Sequence, residues 1–270
     1  MKPRTATADE CDQLWPAVSS ERLMDSPEEL RAYWEDGPWR VRVMGRGEAA
    51  LLGVWRLHLD VLAIRGTWAS ASHVPTFAHD AIEMARCHGF GRVLSPLLPA
   101  GLLGGYREVG MEDVSRIVAI QGIPDRMGVA APQPGLALRG ALPGDVDVLA
   151  RLDAACFDDF WRYGAKDLAE LISRERCMLA ETTDGEIIGY TLATATGSSA
   201  VLSRLCTAPH ARRAGIGSFL LSDVGVWCRE RHASTIALCT QEENAASRAL
   251  YSSAGLVEIA ERYAFAMREV

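Results

Sequence analysis

The chain has 270 residues, of which 49% are hydrophobic and 23% charged, so it can bury a core in one or two domains. Its formal net charge of −7 argues against a nucleic-acid-binding module, because such a module needs a basic face. The N-terminus lacks a signal-peptide pattern, apolar runs of about 18 residues are absent, and the seven cysteines lack C-x-x-C spacing. We therefore expect a cytoplasmic protein with reduced core cysteines and no membrane partner.

Strand and helix patterns in the first half of the chain return about 140 residues later in the same order. Two apolar segments each follow a glycine-containing turn, which predicts second strands of β-hairpins. Two further segments have helical apolar spacing. The matching features are Arg4 and Arg139, residues 51–55 and 187–191, residues 77–89 and 219–232, and Tyr106-x-x-x-Gly110 and Tyr251-x-x-x-Gly255.

A tract rich in proline and glycine separates the two copies. Residues 123–135 contain three prolines and two glycines, a composition typical of a linker. We therefore predict a first domain over residues 1–122, a linker over residues 123–135 and a second domain over residues 136–270.

The second copy has the clearer pattern of elements, and its order is β-α-α-β-β-β-α-β-α-β. This order predicts the α/β class, with a mixed sheet and helices on both faces. The predicted elements are a strand at 136–139, helices at 144–156 and 166–174, strands at 177–181, 187–195 and 200–206, a helix at 216–231, a strand at 235–240, a helix at 245–253 and a strand at 257–267.

The strongest functional motif is Arg212-Arg213-Ala214-Gly215-Ile216-Gly217-Ser218, which lies between an apolar strand and the start of a long helix. Its glycines allow a ligand to approach closely, and its backbone N–H groups, with those of the first helical turn, form an anion site. A Walker loop is excluded because no Gly-Lys-Ser/Thr follows, and Leu220 stands where a dinucleotide-binding motif has its third glycine. The loop therefore suits another pyrophosphate ligand.

These residues resemble the GNAT superfamily of acyl-CoA-dependent N-acyltransferases, whose signature Arg/Gln-x-x-Gly-x-Gly/Ala is satisfied by Arg212, Gly215 and Gly217. The resemblance extends to Leu205-Cys206-Thr207-x-Pro209 and to Asn244-Ala245-Ala246-x-x-x-Leu250-Tyr251-x-x-x-Gly255. It implies two tandem GNAT-like domains and acetyl-CoA as the co-substrate. By position, it implies that CoA is bound by Leu205, Cys206, Thr207, Arg212, Arg213, Ala214, Gly215, Ile216, Gly217, Ser218 and Asn244.

The resemblance implies that Tyr251 is the general acid. Attack of an amine on the thioester expels a thiolate with a pKa of about 8.5, which a phenol with a pKa of about 10 can protonate. Related enzymes often carry a glutamate base on the fourth or fifth strand, and this chain departs from that pattern. At the position where ribosomal-protein acetyltransferases have an acidic residue, it has Cys239, which makes a protein N-terminus a less favoured acceptor. Glu181 and Glu242 are candidate bases; Cys239 as a nucleophile is an alternative, although strand cysteines are usually inert.

Residues 156–164 mix carboxylates with aromatic rings, between the two early helices where the family forms its acceptor pocket. Asp158 and Asp159 could hold a cationic amine beside Trp161, although a solvated helix end is an equal reading. The six histidines lack ligand spacing, so we predict no metal site.

The first copy has no glycine at the position of the pyrophosphate loop, residues 69–76. We therefore expect this copy to be a degenerate GNAT-like domain that packs on the catalytic one.

The sequence as a whole predicts acetyl transfer from acetyl-CoA to a primary amine of a small molecule or peptide, by direct attack in a ternary complex. One alternative is acetylation of a small amino-sugar thiol, as in enzymes that resemble mycothiol synthase. Another is a noncatalytic sensor of acyl-CoA. A monomer and a homodimer are equally compatible with two copies in one chain.

Overall fold

The structure is a computed structural model that describes residues 1–20, 23–45, 47–131 and 133–270. Pro132 of the predicted linker lies outside the described residues. The chain forms two compact units, a first unit of Met1–Arg116 with Tyr263–Val270 and a second unit of Ile117–Arg262.

The first unit is a mixed sheet with helices. Its strands run in the order β1-β2-β3-β4-β5-β13, with β4 and β5 parallel and the other adjacent pairs antiparallel. The short strand β6 pairs with β13. The elements are β1 (Arg4–Thr5), α1 (Ala8–Gln13), α2 (Trp15–Ser20), α3 (Pro27–Asp36), β2 (Val41–Met44), β3 (Glu48–Trp55), β4 (His58–Trp68), α4 (Val74–His88), β5 (Arg92–Leu94), β6 (Leu98–Pro99), α5 (Gly104–Arg107) and the C-terminal half of β13 (Val257–Glu269).

The second unit repeats this plan, and most of its strands are longer than their counterparts, although β11 is shorter than β4. Its strands run in the order β7-β12-β11-β10-β9-β8, and β11 and β12 are its parallel pair. The elements are the C-terminal half of β7 (Glu112–Gly122), β8 (Leu136–Gly140), α6 (Val146–Cys156), α7 (Ala165–Arg174), β9 (Arg176–Thr182), β10 (Ile187–Thr196), β11 (Ser199–Thr207), α8 (Ile216–Glu230), β12 (Thr235–Gln241), α9 (Ala245–Ser253) and the N-terminal half of β13. The predicted α/β mixed sheet in two tandem copies is confirmed.

The first unit is not contiguous in sequence, whereas both predicted domains are. Residues 117–122 of β7 pair with β12 in the second unit, and residues 267–269 of β13 pair with β5 in the first. Each unit therefore takes its last strand from the other half of the sequence. Apolar alternation marks β7 and β13 as strands but does not say which sheet they join.

Each copy begins with an ion pair between an arginine and a carboxylate, and this shared feature supports the internal repeat. The guanidinium of Arg4 donates to both carboxylate oxygens of Glu10 at 2.8 and 2.5 Å. Arg139 does the same to Asp145 at 2.7 and 2.9 Å, with the same six-residue spacing. The match between Arg4 and Arg139 thus extends to the acidic partner, which caps the following helical turn in both copies.

A second ion pair links the second strand of each copy to its long helix. In the first unit, Arg42 on β2 binds Asp80 on α4 at 2.7 and 2.9 Å, and both side chains are buried. In the second unit, Arg176 on β9 binds Asp223 on α8 at 2.8 and 3.1 Å. The loop before the long helix is longer in the second copy, residues 208–215 against 69–73, as the sequence predicted.

The helices of the second unit cover both faces of its sheet. Adjacent residues of β11 point to opposite faces of the sheet. Leu205 lies against the start of α8, and Cys206 lies against the backbone of α6. Helix α8 buries Leu220, Leu221 and Val224 beneath β10 and β11. Among the described residues, no helix is long and apolar enough to cross a membrane.

Candidate functional site

The parallel strands β11 and β12 separate soon after they meet. They pair only over residues 199–201 and 235–237. Beyond this point β11 stays paired with β10 as far as Thr207, and β12 stays paired with β7 as far as Gln241. The facing edges, residues 202–207 and 238–241, form what we call the strand gap. An extended ligand can enter such a gap and pair with the strand backbone.

A β-bulge lies at the start of the strand gap. Leu192 of β10 is opposite Arg204 and Ala193 is opposite Leu202, so Ser203 has no opposite residue. The extra residue changes the side-chain alternation of β11. As a result Arg204 and Cys206 point to α6, while Thr207 points to α8.

The predicted pyrophosphate loop, residues 212–218, forms a cradle at the start of α8. Gly215 caps the helix with φ +81°, and Arg213 has φ +67°, so the chain turns sharply just before the first helical turn. The first helical hydrogen bond is donated by the N–H of Phe219 to the carbonyl of Gly215 at 3.0 Å. The N–H groups of residues 216–218 precede it and are available to an anion.

The side chains at this cradle also suit an anion. Nε of Arg212 lies 3.4 Å from the carbonyl oxygen of Thr207, and neither Arg212 nor Arg213 forms an ion pair with a described residue. The hydroxyl of Thr207 is buried without a hydrogen-bond partner in the described chain. It lies 3.8 Å from where a Cβ on Gly217 would stand, and such a Cβ would also approach Leu250 to 3.2 Å. The cradle therefore has unpaired positive charge, an unsatisfied hydroxyl and space that a side chain would fill.

The structure brings most of the predicted CoA-binding residues together. Leu205, Cys206 and Thr207 lie at the end of β11, which runs into the cradle, and Ala214 and Ser218 are exposed on the cradle itself. Asn244 has a structural role as the N-cap of α9, because its Oδ1 accepts a hydrogen bond from the N–H of Ser247 at 3.1 Å.

Tyr251 lies on α9, and only 6% of it is exposed. Its hydroxyl makes no hydrogen bond to any residue that the structure describes. Burial raises the pKa of Tyr251 to about 12, so the phenol stays protonated across ordinary assay conditions. A protonated, unpartnered hydroxyl is suited to donate a proton to a bound group.

The matching positions of the first unit are closed by internal contacts. The hydroxyl of Tyr106, the counterpart of Tyr251, donates to the hydroxyl of Thr67 at 3.0 Å. In the loop before α4, the carboxylate of Glu48 accepts from the N–H of Ser70 at 2.9 Å and contacts Nδ1 of His73 at 2.8 Å. These contacts lower the pKa of Glu48. The donors that would face a ligand anion here already bind a carboxylate of the same unit.

The predicted acceptor carboxylates make local contacts. Asp158 accepts a hydrogen bond from the N–H of Trp161 at 3.2 Å, and Asp159 pairs with Arg162 at 3.1 Å. The ring of Trp161 packs edge-on against Phe160, with 5.1 Å between ring centres. The two aspartates thus shape the α6–α7 loop, whether or not they also meet a substrate.

A buried ion pair that the sequence analysis missed anchors this loop. Asp153 on α6 is 0% exposed and Arg204 on β11 is 7% exposed. Arg204 donates to both carboxylate oxygens of Asp153 at 2.8 and 2.6 Å, and the hydroxyl of Tyr190 donates to the same carboxylate at 2.5 Å. Asp153 lies on the buried face of an amphipathic helix, and that unusual position was the available signal.

Asp153 and Arg204 also contact the backbone and the aromatic rings of the α6–α7 loop. The N–H of Tyr163 donates to Asp153 at 2.7 Å, and Arg204 donates to the carbonyl of Trp161 at 3.0 Å. The guanidinium carbon of Arg204 lies 3.4 Å from the ring centre of Phe157 and 4.3 Å from that of Tyr163. The α6–α7 loop is therefore tied to the strand that borders the strand gap.

Replacing Asp153 by Ala is expected to destabilise the protein by about 3–5 kcal/mol, because it leaves the charge of Arg204 buried and unpaired. The double variant Asp153→Leu with Arg204→Leu should recover part of this loss. Urea unfolding followed by circular dichroism measures both. Equal stability of the single variant and the wild type would contradict the role assigned to the pair.

The candidate bases differ in charge environment. Glu181 pairs with Arg139, and Glu242 pairs with Arg262 at 2.9 Å, so both predicted candidates are held as salt-bridged carboxylates. Glu175, which the sequence analysis did not single out, accepts a hydrogen bond from Ser203 at the bulge and forms no ion pair within the described chain. Burial raises the pKa of Glu175. A carboxylate in that state is a better proton acceptor than a salt-bridged one.

The cysteines are all free, but they are not all in the core. Cys87 and Cys239 are exposed, so the expectation of core cysteines is wrong for these two, while half-buried Cys156 packs against the core of the second unit. Desolvation raises the pKa of Cys239, which does not favour a nucleophilic role. Among the described residues, no group of three or more His, Cys, Asp or Glu side chains could hold a metal ion.

The fold is that of a two-unit GNAT-like protein, and the cradle lies in its second unit. Residues 146–256 match the family model described as acetyltransferase (GNAT) family. This region, which makes up most of the second unit, is therefore similar to the GNAT family.

One curated protein and several solved structures are similar to this chain. The chain is 33% identical over 96 residues to the uncharacterized N-acetyltransferase YhfO of Bacillus subtilis. The aligned segment covers 33% of this chain and 64% of that protein. A GCN5-related N-acetyltransferase from Sphaerobacter thermophilus shares the fold with a TM-score of 0.69 at 19% identity, over 99% of this chain and 95% of its own. A tandem GNAT protein from the clavulanic acid biosynthesis pathway does so with a TM-score of 0.69 at 16% identity, over 99% and 97%.

Proposed function

We propose that the chain transfers an acetyl group from acetyl-CoA to a primary amine, by direct attack of the amine in a ternary complex. The observation that carries this proposal is the junction of the strand gap with the cradle in the second unit. A single extended ligand with a pyrophosphate at one end fits both features, since one offers strand backbone and the other an anion site.

The anion-binding groups of the cradle support CoA as the carrier of the acetyl group. The N–H groups of residues 216–218 and the guanidinium groups of Arg212 and Arg213 would bind the pyrophosphate, and the unsatisfied hydroxyl of Thr207 would gain an acceptor. The backbone of Leu205 to Thr207 would pair with the pantetheine arm. The bound donor supplies an activated thioester carbonyl.

Two side chains of the second unit would move the protons. Tyr251 would donate its hydroxyl proton to the leaving thiolate as the carbon–sulfur bond breaks. Glu175, through Ser203 or a water molecule, would accept the proton that the amine nitrogen loses as its bond to the acyl carbon forms. The pairing of β11 with β12 ends at Val201, two residues before Ser203. Glu175 would therefore stand at the entrance of the strand gap.

Calorimetric titration with acetyl-CoA tests the proposal, and we expect one binding site per chain. Two sites would contradict the closed state of the first unit, and no binding would contradict the proposed function. A panel of amino acids, polyamines, amino sugars, aminoglycosides and lysine peptides then identifies the acceptor, by chromatographic measurement of released CoA. Binding without turnover on any amine would favour the sensor instead.

Replacing Glu175 by Gln is expected to lower kcat by about 10²-fold, because the amide cannot accept the proton. The melting temperature at pH 7 should stay the same or rise. The raised pKa of Glu175 means that its contribution to stability is complete below the pKa of the unfolded chain and is lost as the pH rises through the folded value. Glutamine avoids that loss.

Glu170→Gln is the matched control, since Glu170 lies on α7 close by in sequence and, within the described chain, forms an exposed ion pair with Arg174. We expect its kcat to be unchanged. An unchanged kcat in Glu175→Gln as well would remove Glu175 from the mechanism.

A further inference from the structure

A serine hydroxyl lies between the proposed base and the strand gap. Ser203 is exposed and belongs to the edge of the strand gap, whereas Glu175 is half-buried and precedes β9. The hydroxyl of Ser203 donates a hydrogen bond to the carboxylate of Glu175. A group that enters the strand gap therefore meets the hydroxyl before it meets the carboxylate.

The backbone fixes both members of this contact. Ser203 is the extra residue of the bulge in β11, and a bulge re-aims the side chain that it carries. Glu175 is the C-cap of α7, and its N–H donates to the carbonyl of Leu171 at 2.7 Å. The hydroxyl and the carboxylate thus meet because a helix end and a strand irregularity place them together.

A second acceptor lies within reach of the same hydroxyl. Oγ of Ser203 is 3.1 Å from the carbonyl oxygen of Leu192 on β10. A hydroxyl has one proton to donate and can accept from another group at the same time. When Glu175 is ionised, the hydroxyl donates to its carboxylate. When Glu175 is protonated, its acid group can donate to Oγ while the hydroxyl turns to Leu192, so each state keeps its hydrogen bonds.

We propose that Ser203 is a catalytic residue that relays the proton of the acceptor amine to Glu175. As the nitrogen–carbon bond forms, the proton leaves the amine nitrogen for Oγ of Ser203, and the proton of the serine passes to the carboxylate of Glu175. The serine is again a neutral hydroxyl, and Glu175 is a neutral acid that later loses its proton to water. The relay rests on the proposed function and makes the hydroxyl, rather than a water molecule, the path to the base.

The environment of Glu175 makes this contact measurable. Burial raises the pKa of Glu175, and the hydrogen bond from Ser203 lowers it. Arg176, the next residue, is paired with Asp223. Burial raises the pKa of Cys177 to about 12, so this neighbouring thiol stays neutral. Removal of the serine hydroxyl should therefore act directly on the titration of Glu175.

The first test needs no substrate. The side-chain carboxyl carbon of Glu175 is titrated by ¹³C NMR, with the spectrum of Glu175→Gln to assign its resonance. We expect the midpoint to move to higher pH in Ser203→Ala, because the ionised carboxylate loses a donor. Ser203→Thr keeps a hydroxyl and should titrate close to the wild type. An unchanged midpoint in Ser203→Ala would overturn the relay.

The second test measures kcat with the amine that the acceptor panel identifies. Ser203→Ala should lower kcat by about 10-fold, less than the loss of the base itself, because water partly replaces the hydroxyl. Ser203→Thr should restore most of this loss. In the Glu175→Gln background, Ser203→Ala should cause no further loss, since the two groups act in one proton path. Ser199→Ala is the matched control, because Ser199 lies at the start of β11, where its hydroxyl contacts that of Thr235.

The outcomes separate the relay from the proposed function. If Glu175→Gln lowers kcat but Ser203→Ala does not, or if the two losses multiply in the double variant, the relay is wrong and water connects the amine to the base. If Glu175→Gln leaves kcat unchanged, the base of the proposed function is wrong, and the relay fails with it. The absence of turnover on every amine would overturn both.

Discussion

Replacing Tyr251 by Phe is expected to lower kcat by about 10²- to 10³-fold, because it removes the group proposed to protonate the leaving thiolate. Affinity for acetyl-CoA should be unchanged, since the cradle lies on α8 and β11 rather than on α9. Released CoA, measured by chromatography with the amine that the acceptor panel identifies, gives kcat. Calorimetry gives the affinity.

The stability of this variant separates a functional hydroxyl from a structural one. The hydroxyl of Tyr251 has no hydrogen-bond partner among the described residues, so its removal should leave the melting temperature unchanged. Tyr106→Phe is the matched control in the first unit. It loses the hydrogen bond to Thr67, which is worth about 1 kcal/mol, and should melt a few degrees lower with normal kcat.

The pH profile adds a check on Tyr251. Burial raises its pKa to about 12, so its deprotonation should not reduce kcat up to pH 10. Removing the hydroxyl should therefore lower the whole profile without moving a basic limb. A Tyr251→Phe variant with wild-type kcat, together with normal donor binding, would remove the phenol from the mechanism.

The order of the elements was predictable because local signals define it. Long apolar periodicity predicted α4 and α8, and their observed starts at Val74 and Ile216 agree with the proline and glycine signals in the sequence. The cradle was predictable for the same reason, since the conformation of Gly215 and the free N–H groups of α8 are properties of one short segment.

The rest of the site depends on contacts between distant segments. The bulge at Ser203 appears only in the register of β11 against β10, and Glu175 becomes a candidate base only because β9 begins where its side chain reaches that bulge. The pair of Asp153 and Arg204 joins residues far apart in sequence. The pairing of β7 with β12 and of β13 with β5 also depends on distant segments, because alternation of apolar and polar residues does not specify the neighbouring strand.

Replacing Gly215 by Glu is expected to weaken acetyl-CoA binding by at least about 100-fold, because a carboxylate then stands where the pyrophosphate would lie and repels it. Gly215 also has φ +81°, so any side chain adds left-handed strain of about 1–2 kcal/mol. Calorimetry with acetyl-CoA measures the loss. Gly215→Ala carries the strain without the charge and should retain a measurable part of the affinity.

Gly197→Glu is the control for strain and charge together, because Gly197 has φ +57° and has nothing within 4 Å of an added Cβ. It lies in the turn that precedes β11, at the end of that strand opposite to the cradle. Its melting temperature should fall less than that of Gly215→Glu, because a Cβ on Gly215 also meets Nε2 of Gln133 at 2.9 Å, and its donor affinity should stay normal. If Gly215→Glu bound acetyl-CoA as tightly as the Gly197 variant, the anion site would have to lie elsewhere. The assignment of that site to the N-terminus of α8 would then be wrong.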